Sequence, residues 1–178
     1  MLNKPFIKKG FVNQTILNWD DFENLKNNHP KEEVELLQSN GPKMRYYENP
    51  DININDYSII FTGCRDFKKE FHTLHKFFKL LIPNLPDIWD AHIYSGHNDN
   101  ATSFKMHFDA QDNFLIQCQG KARLYVPNYF DTIVEPGDLS WIPKYVPHVM
   151  VPIGRRLSVS FPHFELKEKI WMNRLERF

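Results

Sequence analysis

The chain has 178 residues, enough for one domain with a sizeable core, whereas two equal halves would each struggle to bury one. Its 22 Lys and Arg balance 22 Asp and Glu, so no bulk field draws it to nucleic acid or a membrane, and neither partner is expected. Cys64 and Cys118 fit neither a disulfide framework nor a paired-cysteine zinc site. With no apolar leader and no run of about 18 apolar residues, they read as core thiols of a cytoplasmic protein.

In chain order, Asn18 is a suitable N-cap before "WDDFENLKNN", whose early acidic residues suit the helix dipole, so a short helix is expected over 19–28. "HP" and "NG" then interrupt the pattern. In "CRDFKKEFHTLHKFFKLL" (64–81), Phe67, Phe71, Leu74, Phe78 and Leu81 recur every three or four residues with lysines between, the pattern of an amphipathic helix. From residue 88 the texture changes to short alternating runs separated by turn residues. Eight strands are expected: "IWDAHIYS", "SFKMHFD", "NFLIQCQ", "KARLYV", "TIV", "LSWIP", "HVMV" and "RLSVSFPHF". Eight strands in about 75 residues is the economy of a double-stranded β-helix, or jelly roll. The tail "ELKEKIWMNRLERF", with Leu166, Ile170 and Leu175 on roughly one face, reads as a closing helix able to pack on the barrel or on a second copy. The expected fold is thus an all-β jelly-roll core with helices, in one domain. Residues 1–87 form an N-terminal layer of helices and extra strands, 88–163 the β-helix core, and 164–178 a C-terminal helix that makes a homodimer a hypothesis.

The chemistry centres on "MHFDAQDNF". Period-two alternation puts His107 and Asp109 on one strand face, and His148 begins another strand of the same barrel, so three ligands converge in one mouth. Two imidazoles and a carboxylate on one side of a metal leave the opposite positions open, as in non-haem Fe(II) oxygenases. Catalytic zinc more often takes its ligands from a helical H-E-x-x-H, which is absent, so iron is favoured. The bland reading is polar lining of a metal-free jelly roll.

The stretches "HFDAQDNFLIQCQGKARLYV" and "EPGDLSWIPKYVPHVMVPIGRRLSVSF" resemble the Jumonji-C and cupin-like Fe(II)/2-oxoglutarate oxygenases, densely over 88–163 and more loosely in the "PFIKKGFVNQ" entry strand and the two helices. That resemblance implies His107, Asp109 and His148 as catalytic iron ligands, 2-oxoglutarate as co-substrate and O2 as oxidant. The expected outcome is hydroxylation of a substrate with release of succinate and CO2. It further implies that Asn113 reaches the metal-proximal carboxylate, that Tyr94 contacts the co-substrate, and that Ser160 is a polar lining residue. One departure stands out: where cupin-like members carry Lys or Arg two residues after the glycine of "QGKAR", this chain has Ala122. A buried carboxylate needs a cation. Arg156, following a tight "PIG" turn and sharing a strand face with Ser158 and Ser160, is the expected anchor, with Lys105 the second choice.

His72 and His75, three apart on the long helix, read as a solvated face rather than a metal clamp, and His92, His97 and His163 as lining near the barrel ends. Trp141 and Trp171 read as packing residues. The substrate is open among a protein side chain, a free amino acid, a modified nucleoside and a small metabolite. Ala122 leaves two alternatives: a cupin binding module without oxidation, and a metal-dependent cupin enzyme that does not use 2-oxoglutarate.

Overall fold

The structure is a computed structural model that describes residues 4–13, 15–37, 43–46, 57–96 and 102–165. Phe164 belongs to the last strand. From residue 166 the expected closing helix, with Trp171 and the dimer it would mediate, lies outside the described residues, as does His97.

The first helix, α1 (Trp19–Asn28), starts where its cap dictates. The Asn18 side chain accepts from the Asp21 N–H and the Asp21 carboxylate from the Asn18 N–H, both at 2.9 Å, so two otherwise orphaned donors are satisfied reciprocally. The second, α2 (Lys69–Leu81), starts later than the spacing suggested. Asp90 explains the delay: its carboxylate accepts from the Gly63 and Arg65 N–H groups, and Phe67 N–H turns back to the Cys64 carbonyl, which holds 63–67 as a turn.

The strands are β1 (Phe6–Lys8), β2 (Val34–Leu37), β3 (Lys43–Arg45), β4 (Ser58–Phe61), β5 (Ile88–Trp89), β6 (His92–Gly96), β7 (Asp112–Val126), β8 (Phe130–Val134), β9 (Leu139–Ile142) and β10 (Val149–Phe164). Every pairing among them is antiparallel. The first half of β7 pairs with β9 and with the second half of β10, which also pairs with β6; beyond β6 the sheet continues through β4, β2 and β3. The second half of β7 pairs with β8 and with the first half of β10, making a second, smaller sheet. Two facing sheets linked by two shared long strands are consistent with the expected jelly roll.

Four strand expectations change here. "IWDAHIYS" is two strands, β5 and β6, parted at Asp90, whose carboxylate accepts from the Gly63, Arg65 and Ala91 N–H groups. "NFLIQCQ" and "KARLYV" are one strand, β7, because Gly120 (φ 66°) bends the chain without ending the ladder. "HVMV" and "RLSVSFPHF" are likewise one strand, β10; "PIG" is no tight turn but lies at a register shift between Ile153 and Leu157. "SFKMHFD" is not a strand. It makes a single bridge, His107 to His148, because its other polar groups are used locally: the Lys105 carbonyl by the His107 ring and the Asp109 carbonyl by the Tyr145 N–H. Strands β2 to β4 were not located from sequence.

Alternation divides the core in two. Phe114, Ile116 and Cys118 of β7 and Leu157, Val159 and Phe161 of β10 face α1 and α2, where Phe78 stacks on Phe114 (centroids 4.0 Å apart) and Phe71 meets Phe161 edge-on. Burying each such ring contributes about 1.5–3 kcal/mol. The other cluster joins Ala122, Leu124, Val126, Val134, Ile142 and Met150 from the smaller sheet and β9. Lys121 and Arg123 point away from it, paired with Glu135 and Asp131. Both cysteines are free and buried, and Trp141 packs on Phe114. Among the described residues no helix is long and apolar enough to cross a membrane.

Two expectations follow. A Cβ at Gly120 would overlap the Arg155 carbonyl oxygen, whereas at Gly10, of similar φ (56°), it would meet nothing. Gly10→Ala should lose about 1 kcal/mol from the left-handed backbone alone, and Gly120→Ala more than twice that by urea unfolding. The second concerns His163, which is buried against α2 with its Nε2 3.2 Å from His75 Nδ1; burial, then the charge on His75, pushes its pKa down to about 3. The unfolded chain therefore takes up this proton first, and stability should fall as pH drops from about 6.5 toward 3, at up to about 1.4 kcal/mol per unit. His163→Phe should remove that component, read as the difference between the two pH–stability curves.

Candidate functional site

His107, Asp109 and His148 come together although only His148 adjoins a regular strand. One ligand atom from each lies within 4.8 Å of the others, with His107 Nε2 3.7 Å and His148 Nε2 3.6 Å from the two Asp109 carboxylate oxygens. The backbones of the two histidines exchange hydrogen bonds of 3.1 and 2.8 Å, which fixes the two rings side by side. Each ring is also oriented from behind: His107 Nδ1 is 2.8 Å from the Lys105 carbonyl and His148 Nδ1 is 3.0 Å from the Val146 carbonyl. A carbonyl only accepts, so both Nδ1 atoms carry a proton and donate, and both Nε2 atoms face Asp109. Burial holds the His148 pKa below its usual range, keeping its Nε2 lone pair free at neutral pH. Two fixed imidazoles and a carboxylate are a donor set that suits a divalent transition metal, with the back-bonded rings typical of such ligands.

The remaining expected site residues form a polar layer on the inner face of β6, β7 and β10. The Ser160 hydroxyl donates to the Asn113 side-chain oxygen at 2.9 Å. Burial, then the Asp109 carboxylate, pushes the Tyr94 phenol far above its usual range, so it is a neutral hydroxyl. Ser158 lies opposite Tyr94 in the ladder and accepts from the Arg156 guanidinium at 2.8 Å. Arg156 is 3% exposed, and its Nε has no hydrogen-bond partner among the described residues. No carboxylate pairs with it among those residues either. Burial lowers its pKa to about 10, so it is still charged at pH 7. Its guanidinium also touches Met150, which belongs to the same apolar cluster as the buried Ala122. Lys105, the second-choice anchor, is exposed in the irregular segment before His107 and does not reach this layer.

A cleft of about 1000 Å³ opens over the site. Tyr94, Asn113, Ser160, His107 and Asp109 line it; Arg156, Ser158 and His148 are not among its lining residues. The cleft runs on over β2, β3, β4 and the turns beside β5, bringing in Glu35, Arg45, Ile60, Arg65 and Asp90, none of which the sequence pointed to. "VELL" and "SIIF" carried the missed signal, being short apolar runs that continue the sheet. His92, expected as lining, does line the cleft, paired with Asp90 at 3.2 Å. His72 pairs with Asp66, and His75 stacks on Trp89, so these two form no metal clamp.

No protein-family model matches the chain, and no curated protein matches it by sequence. Solved structures do. The fold is similar to that of YcfD, a ribosomal oxygenase from Escherichia coli. One structure of YcfD matches with a TM-score of 0.69 and 20% identity over 94% of this chain and 50% of that one. A complex of YcfD with cobalt and 2-oxoglutarate matches with the same TM-score and identity over 98% and 53%, and a further YcfD structure with a TM-score of 0.70 and 18% identity over 95% and 52%. This chain thus spans about half the length of YcfD. At such identity the similarity concerns the fold.

Proposed function

We propose that this protein is an Fe(II)- and 2-oxoglutarate-dependent dioxygenase that hydroxylates a substrate bound in the cleft. The observation that carries the reading is a buried, charged arginine, Arg156, which has no carboxylate partner among the described residues, in the same barrel interior as the His107–Asp109–His148 set. An unpaired buried cation is costly, and a small dianion that also reaches a metal relieves the cost. The fold shared with YcfD, which has been seen with cobalt and 2-oxoglutarate, supports the same reading.

On this reading His107, Asp109 and His148 hold iron, which supplies dioxygen activation coupled to oxidative decarboxylation of 2-oxoglutarate. Arg156 and Ser158 take the far carboxylate of the co-substrate. Tyr94, Asn113 and Ser160 orient the co-substrate by hydrogen bonds from the wall, and the neutral Tyr94 hydroxyl can donate to a carboxylate oxygen without repelling it. The apolar cluster around Ala122 and Met150 closes the barrel behind Arg156 and excludes water. Ala122, small and buried, takes the place of the expected basic residue, whose task passes to Arg156.

Anaerobic addition of Fe(II) and 2-oxoglutarate should produce the weak visible charge-transfer band of the chelate in the wild type and none in His107→Ala. Arg156→Met should bind 2-oxoglutarate at least about tenfold more weakly, the scale of a lost charge-assisted hydrogen bond, while still binding Fe(II). Bound iron with no band in the wild type would overturn the oxygenase reading and leave a metal-binding cupin. An unchanged 2-oxoglutarate affinity in Arg156→Met would overturn the anchor alone.

A further inference from the structure

Both ligand-bearing segments lean on one short loop, 143–147, between β9 and β10. Its Val146 carbonyl orients the His148 ring, and its Tyr145 N–H donates to the Asp109 carbonyl at 2.7 Å, the shortest backbone contact onto the segment that carries the carboxylate. Tyr145 adopts φ 63°, a left-handed conformation that costs a side-chain-bearing residue about 1–2 kcal/mol. Tyr145 is 58% exposed, with its ring in edge contact with Phe108, so apolar burial does not account for holding the backbone there.

A hydrogen bond one residue earlier does account for it. Asp112, the first residue of β7, accepts from the Lys144 N–H at 3.0 Å through Oδ1. Asp112 stands three residues after Asp109 on the same chain, so one loop is held at two adjacent N–H groups, 144 and 145, by the two ends of the 109–112 turn. The ion pair of Lys144 Nζ with Glu165 (2.7 Å) fastens the same residue to the end of β10.

We propose that Asp112 is a positioning residue for the metal centre: by gripping the Lys144 N–H it holds Tyr145 in its left-handed conformation, and the Tyr145 N–H then aims Asp109 at the two histidines. Asp112 touches none of the three ligand side chains and acts through the loop backbone. The inference rests on reading His107, Asp109 and His148 as metal ligands.

Cobalt(II) binding, followed by the visible ligand-field spectrum of the otherwise metal-free protein, separates the two ideas. Asp112→Ala should weaken cobalt binding about ten- to a hundredfold, the usual cost of removing support behind a ligand, and alter the spectrum. Asp112→Asn keeps an acceptor oxygen in place and should bind within about threefold of wild type; Asp112→Glu keeps the charge but displaces the acceptor and should bind as poorly as Asp112→Ala. If Asp112→Ala does not fold, the Asn and Glu variants alone decide. Asp112→Ala binding like wild type, or Glu intact with Asn impaired, would overturn the proposal while leaving the metal centre standing. A wild type that takes up no cobalt would overturn the metal reading and this inference with it.

Discussion

Two long strands, β7 and β10, run through both sheets, and they can do so only by bending together at the same level. At Gly120 the β7 backbone takes a left-handed conformation directly against the Arg155 carbonyl of β10, where no Cβ fits. That close approach sets the geometry of the barrel. Above it the strands belong to the larger sheet, which is covered by α1 and α2; below it they belong to the smaller one. The register shift in β10 lies at the same level, just before Leu157, and brings Arg156 into the interior. Arg155 turns the other way and lies over the Trp19 ring at 3.7 Å, so adjacent arginines serve opposite faces of one sheet.

The barrel interior changes character along its length. At one end Ala122, Leu124, Val126, Val134 and Met150 form a buried apolar cluster. Toward the mouth, every second residue of β10 is polar: Arg156, Ser158, then Ser160 bonded to Asn113. Ordinary packing does not call for a charged group at the boundary between these zones, and Ser158 satisfies only part of the Arg156 guanidinium. On the proposed reading the anion that meets this group is the far carboxylate of the co-substrate, which ties the electrostatics of the fold to the proposed chemistry.

The two helices and most strand positions were legible because they rest on local signals: the Asn18 cap, the three-to-four spacing of Phe67 to Leu81, and apolar alternation after residue 88. The errors have local causes as well. Glycines at 120 and 154 read as turns, but a glycine inside a paired strand bends it instead. The segment around His107 alternates like a strand, yet its carbonyls are taken by a histidine ring and by the Tyr145 N–H, so no ladder forms. Strands β2 to β4 are short and contribute a cleft wall only through pairing with β6, which no local pattern reveals.

By itself the sequence determined the candidate ligands His107, Asp109 and His148, the inward row of Arg156, Ser158 and Ser160, and the helix faces that cover the sheet. The ligands follow from residue type and the H-x-D spacing, although the segment with His107 and Asp109 is no strand, and the other two from periods of two and 3.6. Only the tertiary structure decided that the candidate ligands meet with both Nε2 atoms toward Asp109 and that Arg156, not Lys105, is buried without a carboxylate partner among the described residues. It also decided that loop 143–147 braces Asp109. Each of these depends on backbone atoms far apart in sequence being brought within hydrogen-bonding distance, and carbonyl and amide groups, identical at nearly every residue, leave no trace in the pattern of side chains.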